Sequence, residues 1–267
     1  MSDPHDAPVG TPRTARALAR EAITREILAA ARARLATDGP AALSLRAVAR
    51  DVGMVSSAVY RYYASRDALL TALIVECYDE LGAAVERAEA DAPRDDLPAR
   101  WLAACRALRD WAVAHPGEFA LLYGTPVPGY AAPRRTVDPA TRVVRVLIAV
   151  VVEADARGSR PVPAPADGDA GDARAEGDAA LVAGAREFAA ARGLAHDAPT
   201  EAVVRTLMAW TALFGTVSFE LFGHLVGSVT DTGRWFDAVA GRLAADLGIH
   251  RSAGRGRAEA TAPSVGR

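Results

Sequence analysis

The sequence predicts an all-α fold, and three observations carry the prediction. Alanine supplies 61 of the 267 residues while aromatics are 6%, a composition that favours helices over strands. Apolar residues recur at helical spacing in successive segments divided by Gly and Pro. No useful stretch alternates apolar and polar residues, so no strand is expected. The length suits one or two domains, with ample chain to bury a core.

Each element follows from its own signals. Residues 1–13 are polar and Pro-rich and read as a disordered arm. Leu18, Ile23, Ile27, Leu28, Ala31 and Leu35 predict a helix over 14–37, stopped by Gly39 and Pro40. Ser44 is a good N-cap for a short helix over 45–52, with Leu45, Val48 and Val52 on one face and Gly53 as its breaker. A second short helix is expected from Ser56 to Tyr62. Ser65 caps a long helix over 66–90, whose first turn holds Asp67, a charge that suits the helix dipole. Helices follow over 97–114 and from Pro116 to Tyr123, then a Gly/Pro loop over 124–137. Asp138-Pro139 reads as an N-cap with an N1 proline, opening a helix to about 157. Residues 158–178 are low-complexity, with Val162 as the single large apolar residue, and read as a mobile insertion. A weaker helix is expected over 179–192.

The segment from Pro199 to about Val229 is apolar nearly all round, and such a helix must be covered on every side. One face can cover the domain interior, and the other needs a partner. The last helix, 232–247, spaces Trp235, Val239 and Leu243 by four. Residues 250–267 read as a disordered tail.

Charge is unevenly placed. All 31 basic residues are arginine, and the net charge is −2. Residues 13–66 alone carry ten Arg against four acids, so a basic N-terminal fifth precedes an acidic body. That asymmetry points to an anionic partner for this fifth. Cys77 and Cys105 offer neither a disulfide framework nor a metal cluster and read as buried apolar fillers. No cofactor is expected. The polar start shows no signal peptide, and the longest apolar run, Thr206 to Phe219, is shorter than the roughly 20 residues needed to span a bilayer. A soluble, cytoplasmic protein is the expectation. No GxSxG, HExxH or P-loop pattern supports catalysis.

The informative stretch is Leu43 to Leu70, LSLRAVARDVGMVSSAVYRYYASRDALL. Two short helices joined at Gly53, followed by a capped third helix, are the architecture of helix-turn-helix modules that read DNA. Ser56 and Ser57 are small and polar, which lets backbone approach base edges. Tyr60, Arg61 and Tyr62 follow with phenol and guanidinium donors. Ser44 and Arg46 can hold a phosphate at the bracing helix, and Arg66 can do the same on the flanking strand. Packing is the alternative role for Tyr62 and Tyr63, and solvated surface charge is the alternative for Arg61 and Arg66.

These residues resemble the N-terminal domain of the TetR family of transcriptional regulators. The likeness runs through Ser44-Leu45-Arg46-x-Val48-Ala49, Val52-Gly53-Met54-Val55, Val59-Tyr60-Arg61-Tyr62-Tyr63 and Ser65-Arg66-Asp67-x-Leu69-Leu70. It covers about residues 14–81. Two positions depart from it: the family more often has Phe at Tyr63 and Lys at Arg66. The resemblance implies a helix-turn-helix domain over 14–65 and a ligand-binding and dimerisation domain over 66–249. It implies an Ω-shaped homodimer held by a four-helix bundle from helices 199–229 and 232–247. A two-fold dimer implies a palindromic operator, with recognition helices about 34–36 Å apart or at a longer spacing.

In the second half, Trp111…His115-Pro116-Gly117-Glu118-Phe119, Gly124-Thr125-Pro126-Val127-Pro128-Gly129-Tyr130 and Trp210…Phe219-Glu220-Leu221-Phe222-Gly223-His224 resemble the WHG subgroup of TetR C-terminal domains. That likeness implies a small-molecule effector without naming it. Trp101, Cys105, Trp111, Phe119, Tyr123, Trp210, Phe214 and His224 are the candidate pocket residues, with an ordinary core as the alternative. His224 with Glu220 reads as a metal pair or as a structural hydrogen bond at the dimer seam. The function expected is a ligand-responsive DNA-binding regulator, a repressor released by a small, mostly apolar ligand. The other reading is an all-α ligand-binding or enzymatic bundle with no DNA role.

Overall fold

The computed structural model describes residues 14–158, 177–193 and 199–250. The arm 1–13, most of the 158–178 insertion with Val162, and the tail beyond 250 lie outside the described residues. Every regular element among the described residues is helical. The chain forms two compact units: residues to Glu80 with Ala112–Ala140, and Leu81–Trp111 with residues from Thr141 onward. A single cut after residue 65 does not reproduce this division. The long helix Arg66–Asp91 contributes to both units.

The first unit is built on Ala15–Asp38, where Ile27, Ala31 and Leu35 are buried at a spacing of four and Thr14 Oγ1 accepts from the Ala17 amide. Gly39 ends this helix at φ +73°, a left-handed value that a side chain would strain. Leu45–Asp51 follows, with Ser44 extended at its N-cap position but making no side-chain capping bond. Gly53, at φ +66°, turns the chain into the helix Ser56–Val59. The expected helix to Tyr62 is regular only to Val59, and it closes through bonds from the Tyr62 and Tyr63 amides to the Val59 carbonyl. Ser65 Oγ accepts from the Ala68 amide, as its capping role requires. Leu45, Val48, Val59, Leu69 and Leu73 share one core with Leu35 and Leu43.

Pro116–Tyr123 also belongs to this unit and packs on the first helix. A Cβ on Gly117 would stand 3.0 Å from the backbone of Leu35 and Ala36, so only glycine fits there without a shift. Leu121 and Val127 join the same core.

In the second unit Leu97–Ala114, Arg142–Ala156, Thr200–Leu221 and Thr232–Asp246 supply the main helices, with Ala183–Ala190 between them in sequence. Trp101 Nε1 donates to the Ala240 carbonyl at 2.9 Å. Arg100, almost fully buried, donates to Glu89 at 2.6 Å and also to Glu153. Such a charge is tolerable inside only because two carboxylates surround it. Arg142 forks onto Glu86, and its side chain lies where a Cβ on Gly82 would fall, 2.6 Å away.

Three sequence boundaries move. Asp138 and Pro139 lie in a separate turn, Val137–Ala140, and the long helix begins at Arg142. The helix expected over 179–192 is interrupted at Val182. The helix expected to reach Val229 stops at Leu221, because Gly223 and Gly227 take φ +78° and +79°. By length and composition Thr200–Leu221 could cross a membrane. Within the unit, however, it carries a buried Arg205 bonded to Glu201 at 2.7 Å and to Asp246 at 2.6 Å, as expected of a core helix.

Candidate nucleic-acid interface

The helix-turn-helix presents a cationic, polar face. Its second helix is short because Gly53 must turn the chain and Val59 must reach the core. With Ala58 and Val59 turned inward, Ser57, Tyr60 and Arg61 are left outside. Tyr60 is 47% exposed. Ser56 and Ser44 are half-buried. Arg46 is exposed on the bracing helix, and neither it nor Arg61 enters an ion pair among the described residues. Tyr63 is buried, so it packs, and burial pushes its phenol up to about 12. The hydroxyl that distinguishes it from Phe thus stays neutral.

Tyr62 lies at the edge of the core. Its ring is half-buried and lies 5.0 Å below the Arg20 guanidinium. Arg20 Nη2 also donates to the Arg61 carbonyl at 3.3 Å. Arg20 was invisible to local spacing because it stands 41 residues away. Arg50 was overlooked too, although it is exposed one helical turn after Arg46. Arg34 forks onto Asp51 at 2.5 and 2.9 Å, and this hydrogen bonding holds the Asp51 carboxyl below its ordinary value. The pair ties the bracing helix to the first helix.

Arg66 has partners within the fold that local spacing does not show. Its guanidinium turns inward and donates to the carbonyls of Leu43 and Ala41, both at 2.9 Å, and of Pro40 at 3.3 Å. The guanidinium thus ties the short 3-10 turn Pro40–Ala42 and Leu43 to the start of the long helix. Nε and Nη2 are engaged within the fold, and Nη1 makes no hydrogen bond among the described residues.

The candidate pocket residues are divided between the units. Phe119 and Tyr123 lie in the first, with ring centroids 5.1 Å apart, and Tyr78 meets Tyr123 edge-on at 5.8 Å. Trp101, Cys105, Trp111 and Phe214 are buried in the second, with Trp210 edge-on to Phe214 at 5.9 Å. Burial raises the thiols of both cysteines, Cys77 to about 12, as fits apolar fillers. His224 is exposed and lies 5.1 Å from the Phe219 ring. It does not pair with Glu220, because the helix ends between them at Leu221. Glu220 instead accepts from Arg109 at 2.5 and 2.8 Å and from Thr232 at 2.7 Å. No metal-binding group occurs among the described residues.

The comparisons with known proteins follow this division of labour. The family model for bacterial regulatory proteins of the tetR family matches residues 27–73. A second, the tetracyclin repressor-like C-terminal domain, matches residues 101–243. The HTH-type transcriptional regulators Rv1816 of Mycobacterium tuberculosis and Mb1846 of Mycobacterium bovis are each 40% identical over 237 residues, spanning 87% of this chain and 95% of theirs. Among solved structures, the regulatory protein SCO4313 superimposes with a TM-score of 0.68 at 32% identity, over 87% of this chain and 98% of that one. A protein of unknown function from Rhodococcus sp. RHA1 shares the fold, with a TM-score of 0.60 at 24% identity over 89% of this chain and 97% of its own. The chain therefore belongs to the TetR family of transcriptional regulators, with an N-terminal DNA-binding domain and a C-terminal ligand-binding domain.

Proposed function

We propose that the protein is a repressor that binds a palindromic operator as a homodimer and is released by a small, mostly apolar effector. The observation that carries the DNA arm is the exposed face of Arg46, Ser57, Tyr60 and Arg61 at the helix-turn-helix, where neither arginine forms an ion pair among the described residues. Arg46 and Ser44 would position the module on phosphates, and Ser56, Ser57, Tyr60, Arg61 and Tyr62 would read base edges.

Dimerisation is supported by the two terminal helices. Thr200–Leu221 buries Ala202, Ala209, Leu213 and Val217 on one stripe, yet Met208 and Phe219 on the other are 58% and 54% exposed. On Thr232–Asp246 the buried stripe is Phe236, Ala240 and Ala244, while Trp235 is 41% exposed and Val239 and Leu243 are half-buried. Each helix thus keeps a second apolar face that a like helix pair from another copy would cover.

Effector coupling has a physical route. Residues 112–140 fall within the C-terminal family match, yet they fold in the same compact unit as the helix-turn-helix. There the Tyr130 and Thr71 hydroxyls are 3.0 Å apart, which fastens the loop to the long helix just behind the reading head. An effector that moves this segment moves that helix. Reversing occupancy from 99:1 to 1:99 needs about 5.5 kcal/mol of preference for the released form.

Genomic-fragment selection with the purified protein tests the proposal. A recovered palindrome, bound with an affinity that falls steeply with salt, is the expected result. Recovery of no enriched sequence, or a flat salt dependence, contradicts it.

A further inference from the structure

We propose that Val55 reads the C5 methyl of a thymine in the operator and is a specificity-determining residue; this rests on the DNA-binding reading above. Val55 is 70% exposed and stands at the N-cap position of the recognition helix, with extended backbone at φ −69° and ψ 142°. That position favours Ser, Thr, Asp or Asn, whose side chains accept from the first helical amides, and valine is among the poorest choices. No side chain caps this helix. Local packing does not call for the residue either, because Ala58 and Val59 are buried and Met54 packs against the core without it. Folding therefore gives no reason for an isopropyl group here.

The surroundings supply one. Val55 is an apolar spot on a polar, cationic face with exposed Ser57, Tyr60 and Arg61 on its own segment and Arg46 and Arg50 on the bracing helix. A recognition helix enters the major groove with its N-terminal residues leading. Among base edges there, the thymine methyl is the apolar group, so an apolar side chain at the leading end selects thymine. A β-branched side chain is stiff about χ1, so ordering the isopropyl against that methyl loses little freedom. One buried methyl corresponds to about a fourfold gain in affinity, and two half-sites to a gain on the order of tenfold.

The test uses the full-length protein and the operator duplex recovered by the genomic selection. Each symmetric thymine pair is replaced in turn by deoxyuridine, which removes only the methyl groups. Affinities are measured for the native protein, Val55→Ser and Val55→Ala, with thermal unfolding alongside. One thymine pair is expected whose replacement weakens native binding by roughly fourfold to tenfold and leaves both variants unaffected. Val55→Ser should be at least as stable as the native protein, because serine can cap the helix. If every replacement weakens all three proteins equally, or none weakens the native protein, the assignment to Val55 is overturned while operator binding stands. Failure to recover any operator overturns the DNA-binding reading beneath it.

Discussion

Arg66 Nε donates to the Leu43 carbonyl oxygen at 2.9 Å, joining the start of the long helix to the turn that precedes the bracing helix. With its two further carbonyl contacts, the guanidinium braces the module from inside. Arg66→Ala would remove these charge-assisted hydrogen bonds and should lower stability by about 1–3 kcal/mol. Thermal unfolding measures that loss. The salt dependence of operator binding separates bracing from phosphate contact. Its log–log slope should be unchanged in Arg66→Ala and shallower by about two in Arg46→Ala, one phosphate contact for each half-site. A shallower slope in Arg66→Ala would return that residue to the phosphate set.

Phe219 and Met208 stand on the outer stripe of Thr200–Leu221, away from their own unit's core. Phe219→Glu and Met208→Glu should leave the helical content intact and convert the protein to monomers, because a charge on a covered apolar face carries a large desolvation cost. Sedimentation measures the assembly, and circular dichroism checks the fold. Operator affinity should fall with the dimer. Variants that sediment as the native protein does would exclude this face.

Acid should unfold the second unit through three arginine-held carboxylates. Hydrogen bonds from Arg100 hold Glu153 below its ordinary 4.5, those from Arg142 do the same for Glu86, and those from Arg106 hold Asp237 below 3.8. A carboxyl with a lowered folded pKa lends stability above its unfolded value and loses it as pH falls through the folded one. Stability should therefore decline below about pH 4.5, and Glu153→Gln should show a shallower decline. Glu76 has the opposite sign. Its Oε2 is buried and accepts no hydrogen bond among the described residues, and burial outweighs the Arg32 guanidinium 3.6 Å away and raises its pKa. Its ionisation opposes folding at neutral pH, so Glu76→Gln should raise Tm at pH 7 and lose that advantage in acid. Thermal melts across pH 3–7 measure both effects.

Much of this architecture was legible in local pattern. Ile27–Ala31–Leu35, the Ser65 cap and the Gly53 turn each announce themselves within a few residues, and the structure uses them as their spacing suggests. What local pattern could not show was partnership across long separations. Arg66 braces a turn whose carbonyls lie 23–26 residues away and whose polar needs the sequence does not display. Arg20 over Tyr62 was hidden for the same reason. Trp235, Val239 and Leu243 recur by four, and the buried stripe runs one residue on, at Phe236, Ala240 and Ala244; spacing cannot choose between two apolar stripes. A pairing of His224 with Glu220 requires the helix to continue past Leu221, and two left-handed glycines follow its end.

The account depends most on the outward face of the short helix after Gly53. The most direct measurement is the affinity of Arg61→Ala for the selected operator, with the oligomeric state measured in parallel. Loss of specific binding, with native sedimentation and folding retained, is the predicted result. Native affinity in that variant would contradict the placement of this face against DNA.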